Sequence, residues 1–332
     1  MPLMRAARLV APARVEVEDA PLPVPGDGEV LVRMQAASIC GSDVHVIFDG
    51  FADPEQLPAR PGFPGHEGVG QVVESRAPGF EPGNLVLTVP PPADAGCFAE
   101  MQAVASWSLV GLPPGADLPR LLMAQQLGTT VYAFRRFWPA GGAGTAAVIG
   151  AGSAGLFFLQ LLRLAGCPDV VVADLEPARL AVARSLGASL CVAAPEESVV
   201  EAVLDRTAGG ADLVIEAAGY DVCRAQAVEA VRAGGRLGFF GFPERPDLAP
   251  FPVAVAFRKG VTIEFSVGAQ REPGLRSFHE ALDLISSGRV EVGYCLRERL
   301  PLERAPEALE RARQRGHGAV KLTIEMGTST AE

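Results

Sequence analysis

No stretch of this 332-residue chain offers the ~18 consecutive apolar residues that a membrane-spanning helix requires; glycine or charge interrupts every apolar run first. Positive charge is also scarce. Against 39 acidic residues stand 29 Lys and Arg, a formal net charge of −10, which argues against nucleic acid and anionic membrane surfaces as partners. The start Met1-Pro2-Leu3-Met4-Arg5 lacks the charged-then-apolar order of a secretory signal. A cytoplasmic protein is therefore expected. The six cysteines (Cys40, Cys97, Cys167, Cys191, Cys223, Cys295) show no paired spacing, so no disulfide framework is implied. Aromatic residues make up only 6% and supply no substrate-pocket signature. What is present is a chain 48% hydrophobic, long enough to bury a large core in two domains.

The most informative stretch is Val-Ile-Gly150-Ala-Gly152-Ser153-Ala154-Gly155, with Asp174 nineteen residues beyond Gly155. It reads as a strand, a tight glycine turn, a helix and a second strand ending in a carboxylate. Gly150 permits the turn, Gly152 lets backbone N–H groups approach a pyrophosphate, and Gly155 lets the helix lie close on the sheet. The helix N-terminus, with its unpaired N–H groups, then faces the phosphates. A carboxylate at Asp174 accepts hydrogen bonds from the adenosine ribose and repels a 2′-phosphate, so NAD is expected over NADP. A glycine triplet alone would also suit a turn in some other α/β protein. The order of strand, turn, helix, strand and acid favours the dinucleotide.

From about 145 to 267 strands and helices alternate. Strands are expected at 145–150, 169–174, 189–194, 212–218, 236–241 and 261–267, with helices at 153–165, 177–186, 199–208, 223–232 and 253–258. Short Val/Ile/Leu/Phe runs separated by helix-length segments indicate a doubly wound parallel sheet covered on both faces. The first ~125 residues are rich in Pro and Gly with short alternating strands, such as 29–34 and 68–74, which suits a mostly β, barrel-like domain. A helix at 275–286, a strand near 299–302, a helix at 305–315 and a last strand at 319–325 follow. The last strand is expected to return to the first domain, and the tail 327–332 to be disordered.

Two clusters in the N-terminal part could carry chemistry: Cys40-Gly-Ser42-Asp43-Val-His45 and Gly65-His66-Glu67-Gly68. Thiolate, imidazole and carboxylate are the ligand types Zn²⁺ prefers, and a catalytic site uses three protein ligands and leaves one position open. Taken singly, a lone cysteine is more often core, and His66-Glu67 fits an ordinary turn.

In combination with the downstream glycine run, these motifs resemble the zinc-containing alcohol and polyol dehydrogenases of the medium-chain dehydrogenase/reductase family. The matching residues are Cys40 to His45, Gly65 to Glu74, Gly150 to Gly155, Asp174 with Arg179, and Val320 to Ile324. The resemblance spans nearly the whole chain. It implies a GroES-like catalytic domain at 1–127 and 268–332, and a Rossmann domain at 128–267. It also implies that Cys40 and His66 ligate one catalytic zinc, with Glu67 beside the metal and able to enter its shell. Asp43 would orient the ligand histidine. Ser42 would take the substrate proton and His45 relay it to solvent. Thr129 would touch the nicotinamide, the run Gly150, Gly152, Ser153, Ala154 and Gly155 the pyrophosphate, and Asp174 with Leu175 the adenosine ribose. Arg179 and Lys321 match cationic contacts to the adenosine side and the pyrophosphate. Relatives are usually dimers or tetramers joined through the cofactor domain, here by way of 261–267.

Two departures stand out. The family's structural zinc lobe needs four cysteines, whereas Pro90 to Cys97 is short and holds one, so no structural zinc is expected and Cys97 reads as a packing residue. At the last zinc-associated position the family commonly has Glu or Cys, and here Gln125 stands in Met123-Ala-Gln125-Gln126-Leu127-Gly128-Thr129. Gln125 either binds the metal weakly, or leaves Glu67 as the direct third ligand, or hydrogen-bonds substrate hydroxyls. The expected activity is hydride transfer between a secondary alcohol, polyol or sugar hydroxyl, or the matching carbonyl, and NAD(H). The alternatives are a metal-free enoyl or quinone reductase on the same scaffold and a catalytically decayed NAD-binding protein.

Overall fold

The computed structural model describes residues 2–327, so the expected disordered tail lies, beyond Gly327, outside the described residues. The chain divides into two compact units, Thr129–Gly268 and the pair of segments Met1–Gly128 and Ala269–Glu332.

Within Thr129–Gly268, apolar runs form six strands: Thr145–Ile149, Asp169–Asp174, Leu190–Ala193, Ala211–Glu216, Val231–Phe239 and Thr262–Phe265. Helices Ser153–Leu164, Pro177–Ser185, Val199–Arg206, Asp221–Ala230 and Val253–Lys259 connect them. Every pairing is parallel, and the spatial order is third, second, first, fourth, fifth, sixth. That is the doubly wound Rossmann order. Side chains such as Val171, Val192, Val214 and Leu237 are fully or almost fully enclosed, which is why these strands read as continuous apolar runs and not as alternations. The direction of winding reverses between the first and fourth strands, and in open parallel sheets ligands bind beyond the carboxyl ends at that reversal.

The largest departure from the expected boundaries in this unit falls between the fourth helix and the fifth strand. The helix expected to reach 232 stops at Ala230, and the fifth strand begins at Val231 instead of 236. Ala211 pairs with Val231 but Leu213 pairs with Arg236, so the strand carries a bulge across Gly234-Gly235, with Gly234 at φ +68°. A Gly-Gly pair reads as a break, yet glycine is the residue that lets a bulged strand continue.

In the other unit, a seven-stranded sheet runs in the order Arg299–Pro301, Thr323–Glu325, Glu29–Ser38, Glu67–Ser75, Leu85–Thr88, Leu109–Leu112, with Met101–Ala105 also pairing Glu29–Ser38. A hairpin of Leu3–Ala11 and Arg14–Pro21 forms a separate two-stranded sheet. Val30, Val32, Val72, Val86, Phe98, Leu309 and Ile324 fill the core. The final strand is shorter than expected, Thr323–Glu325, but the chain before it stays against the sheet because Ile39 donates its N–H to the Leu322 carbonyl at 2.9 Å. Ser38 lies opposite both Glu67 and Thr323. This register places the end of one strand, the start of a second and the lead-in to a third side by side. No helix among the described residues is long and apolar enough to cross a membrane.

Candidate functional site

The strand Glu29–Ser38 ends two residues before Cys40, and Glu67 begins its neighbour, so sheet register alone brings the two sequence clusters together. The ligand atoms of Cys40, His66 and Glu67 lie within 4.8 Å of one another, the only such group of three among the described residues. Cys40 caps helix Gly41–Phe48, and Asp43 on its first turn accepts the Cys40 N–H at 2.8 Å through Oδ2. The other Asp43 oxygen lies 3.0 Å from His66 Nδ1. One buried carboxylate thus fixes the thiol's backbone and the imidazole together. Burial opposes the His66 charge, but the adjacent Asp43 carboxylate outweighs it and holds the imidazole well above the usual histidine range. Asp43 favours the proton on Nδ1, so Nε2 is the nitrogen that would give up its proton to a bound metal.

Glu67 is buried, and its Oε2 accepts from Ser38 Oγ and lies 2.7 Å from Lys321 Nζ. Burial raises the Glu67 carboxyl, but Lys321, with help from His66 and Ser38, overcomes this and holds it below its ordinary value. The second oxygen, Oε1, is buried with no hydrogen-bond partner, an acceptor that a cation would satisfy. Thiolate, imidazole and an unsatisfied carboxylate oxygen at this spacing suit Zn²⁺. Gln125 is buried beside them and donates from Nε2 to the His66 carbonyl at 3.3 Å.

Ser42 and His45 sit three residues apart on helix Gly41–Phe48 and therefore share a face. His45 Nδ1 is 2.7 Å from Asp49 Oδ2, and its ring meets Phe51 edge-on. Lys321, expected at the pyrophosphate, has its side chain only 2% exposed, paired with Glu67 and donating to Gln126 Oε1 at 3.3 Å. A buried ammonium goes to the nearest buried carboxylate, because leaving either charge alone costs more than ordering the pair. Cys97 is fully buried and donates to the Glu67 carbonyl at 3.4 Å; burial pushes its thiol well up, so it packs as a neutral side chain. Ser38, Gln126 and Asp49 were not among the candidate site residues expected from the sequence. Asp49 had a signal, its i,i+4 spacing to His45; Ser38 and Gln126 had none, since only cross-strand register and tertiary packing bring them in.

In the Rossmann unit, Gly150 closes the first strand with φ +100°, and an added Cβ would lie 3.0 Å from Ala218 N. At Gly155 a Cβ would overlap the Gly150 carbonyl oxygen, so helix Ser153–Leu164 meets the turn only because that residue is glycine. Above Gly152, the N-cap, the space is open. Ser153, Ala154 and Gly155 form the first turn, whose N–H groups point along the axis. Asp174 ends the second strand with Oδ2 accepting Ala151 N–H at 2.5 Å and Oδ1 accepting Glu176 N–H at 2.8 Å. The carboxylate is thereby tied to the glycine turn, with lone pairs remaining for a diol. Leu175 is exposed next to it, Arg179 is half-buried on helix Pro177–Ser185, and Thr129 begins this unit on helix Ala124–Phe137.

Residues 154–287 match the family model described as zinc-binding dehydrogenase, and residues 26–116 match the alcohol dehydrogenase GroES-like domain. The chain is 30% identical to L-threonine 3-dehydrogenase of Bacillus subtilis, covering 92% of this chain and 93% of that protein. It is 29% identical to sorbitol dehydrogenase of Gallus gallus over 94% of this chain and 93% of the relative. The solved alcohol dehydrogenase of Thermus sp. ATN1 superposes with a TM-score of 0.80 at 28% identity, over 98% of this chain and all of that one. The chain belongs to the zinc-containing medium-chain dehydrogenase family. It is an oxidoreductase of the alcohol and polyol dehydrogenase kind.

Proposed function

We propose that this protein is a zinc-dependent dehydrogenase that moves a hydride between a secondary alcohol, polyol or sugar hydroxyl, or the matching carbonyl, and NAD(H). The observation that carries the reading is the Cys40, His66 and Glu67 group with an unsatisfied carboxylate oxygen. The relatives' substrates, threonine and sorbitol, both bear secondary hydroxyls on small polar molecules, which supports the substrate class.

Cys40, His66 and Glu67 Oε1 would hold one zinc, with the Gln125 oxygen facing the metal or a substrate hydroxyl. Bound zinc supplies Lewis acidity, lowering the pKa of a coordinated hydroxyl or polarising a carbonyl. Asp43 keeps His66 in the tautomer that presents Nε2. Ser42 accepts the hydroxyl proton, and His45, anchored by Asp49, passes it to solvent. Thr129 contacts the nicotinamide, the first turn after Gly152 binds the pyrophosphate, and Asp174 holds the adenosine ribose with Leu175 and Arg179 beside it. The free cysteines suit the cytoplasm. A homo-oligomer is expected through the edge strand Thr262–Phe265, where Phe265 is exposed and nearby Val267 is 97% exposed.

Protein purified without chelator should contain about one zinc per chain and reduce NAD⁺ with members of a polyol and secondary-alcohol panel, read at 340 nm. Gln125 in place of Glu or Cys favours a second reading, a metal-free reductase. A zinc content below ~0.2 per chain would end the first reading.

Asp174 sets the cofactor. The Asp174→Ala variant should bind NADH more weakly by about tenfold while binding of NADPH improves, because one ribose acceptor and one repulsive charge go together. Isothermal titration with both cofactors checks this; an unchanged NADH-to-NADPH ratio would remove Asp174 from the ribose site.

A further inference from the structure

The carboxyl end of the fourth Rossmann strand holds a fully buried carboxylate, Glu216, where packing alone would favour an apolar residue. Its Oε1 accepts the N–H groups of Ala218 and Gly219 at 2.7 and 2.5 Å. Its backbone carbonyl accepts those of Phe240 and Gly241 at 2.9 and 3.1 Å. Arg224 reinforces the same point. It lies 3.9 Å from Glu216 Oε2, donates to the Gly241 carbonyl at 3.2 Å and pairs with Asp221 at 3.0 Å. The two loops so tied, after the fourth and fifth strands, touch without room for side chains: a Cβ at Gly219 would overlap the Phe242 carbonyl, and one at Gly241 would overlap Gly219.

This lock stands at the winding reversal. Ala217 donates to the Ile149 carbonyl at 2.9 Å, and the 217–218 backbone is what a Cβ on Gly150 would meet. The turn is therefore packed on the dinucleotide-binding glycine turn, on the side away from Asp174. Each half of a doubly wound sheet receives one mononucleotide. With the adenosine ribose assigned to Asp174 on the second strand, the half containing the fourth and fifth strands takes the nicotinamide.

We infer that Glu216, braced by Arg224, is a positioning residue that builds the wall on which the nicotinamide half of the cofactor rests. The inference depends on the NAD(H) reading above. Glu216 touches no reacting atom; its side chain accepts the Ala218 and Gly219 N–H groups of the first loop, which would otherwise lack acceptors, and Arg224 links it to the Gly241 carbonyl of the second. Glutamine retains an oxygen for both N–H groups, whereas alanine leaves them unpaired.

The test compares NADH with ADP-ribose, which keeps everything but the nicotinamide, by titration calorimetry on the full chain. Glu216→Ala should raise the NADH Kd about tenfold and shift that of ADP-ribose by less than about threefold. Glu216→Gln should restore NADH binding to within about threefold of wild type. If Glu216→Ala does not fold, Arg224→Met carries the same comparison, with an expected NADH loss of about threefold. Equal weakening of both ligands, or no weakening of either, would overturn the positioning role. Failure of the wild type to bind NADH would instead overturn the cofactor reading on which it rests.

Discussion

Lys321→Met is expected to lower the stability of the metal-free protein by about 3–5 kcal/mol, measured as a shift in the urea midpoint after chelation. Both partners of the Lys321–Glu67 pair are almost wholly buried, with side chains 2% and 1% exposed, and the bond is 2.7 Å. Removing the ammonium leaves the Glu67 carboxylate facing Ser38 and His66 without its nearest cation. The paired variant, Lys321→Met with Glu67→Gln, should recover most of the loss, because a neutral pair requires no counter-charge. Near-additive penalties in the double variant would show that Lys321 stabilises through packing and not through the charge.

His66→Ala should abolish stoichiometric zinc binding and lower kcat/KM by about 10³-fold or more, since the Lewis acid's several kcal/mol disappear with the metal. Circular dichroism should stay unchanged, as His66 lies at a strand's start and contributes little to the core. Asp43→Asn makes a graded control. It retains a hydrogen-bond acceptor for His66 but loses the charge, and should weaken zinc by about 10–100-fold, seen in competition with a chromophoric chelator. Wild-type activity in metal-free His66→Ala would sink the zinc mechanism. Equal zinc affinity in Asp43→Asn would show that the carboxylate's charge does not matter to the site.

The readable parts of this protein share a physical property: they are local. The strands and helices between Thr145 and Phe265 appear close to their expected positions because buried parallel strands and amphipathic helices each carry their periodicity within a few residues. The exception, the strand starting at Val231, fails for the same reason, since its bulge is defined by the partner strand and not by Gly234-Gly235 alone. Cys40 with Asp43, Ser42 with His45, and the glycine turn with its helix are likewise neighbours in sequence.

Side-chain types and short spacings were enough to nominate thiolate, imidazole, carboxylate and the dinucleotide turn, because each motif's chemistry is complete within one or two elements. Partnership across the fold was not. That Lys321 neutralises Glu67, that Ser38 donates to the same oxygen, and that Glu216 ties two loops together all depend on which strands lie side by side and in what register. A buried charge takes its role from the charge packed against it, and that neighbour can be hundreds of residues away: 254 positions separate Glu67 from Lys321. Only the folded sheet brought them within 2.7 Å, and so made Lys321 the counter-ion of the Glu67 carboxylate.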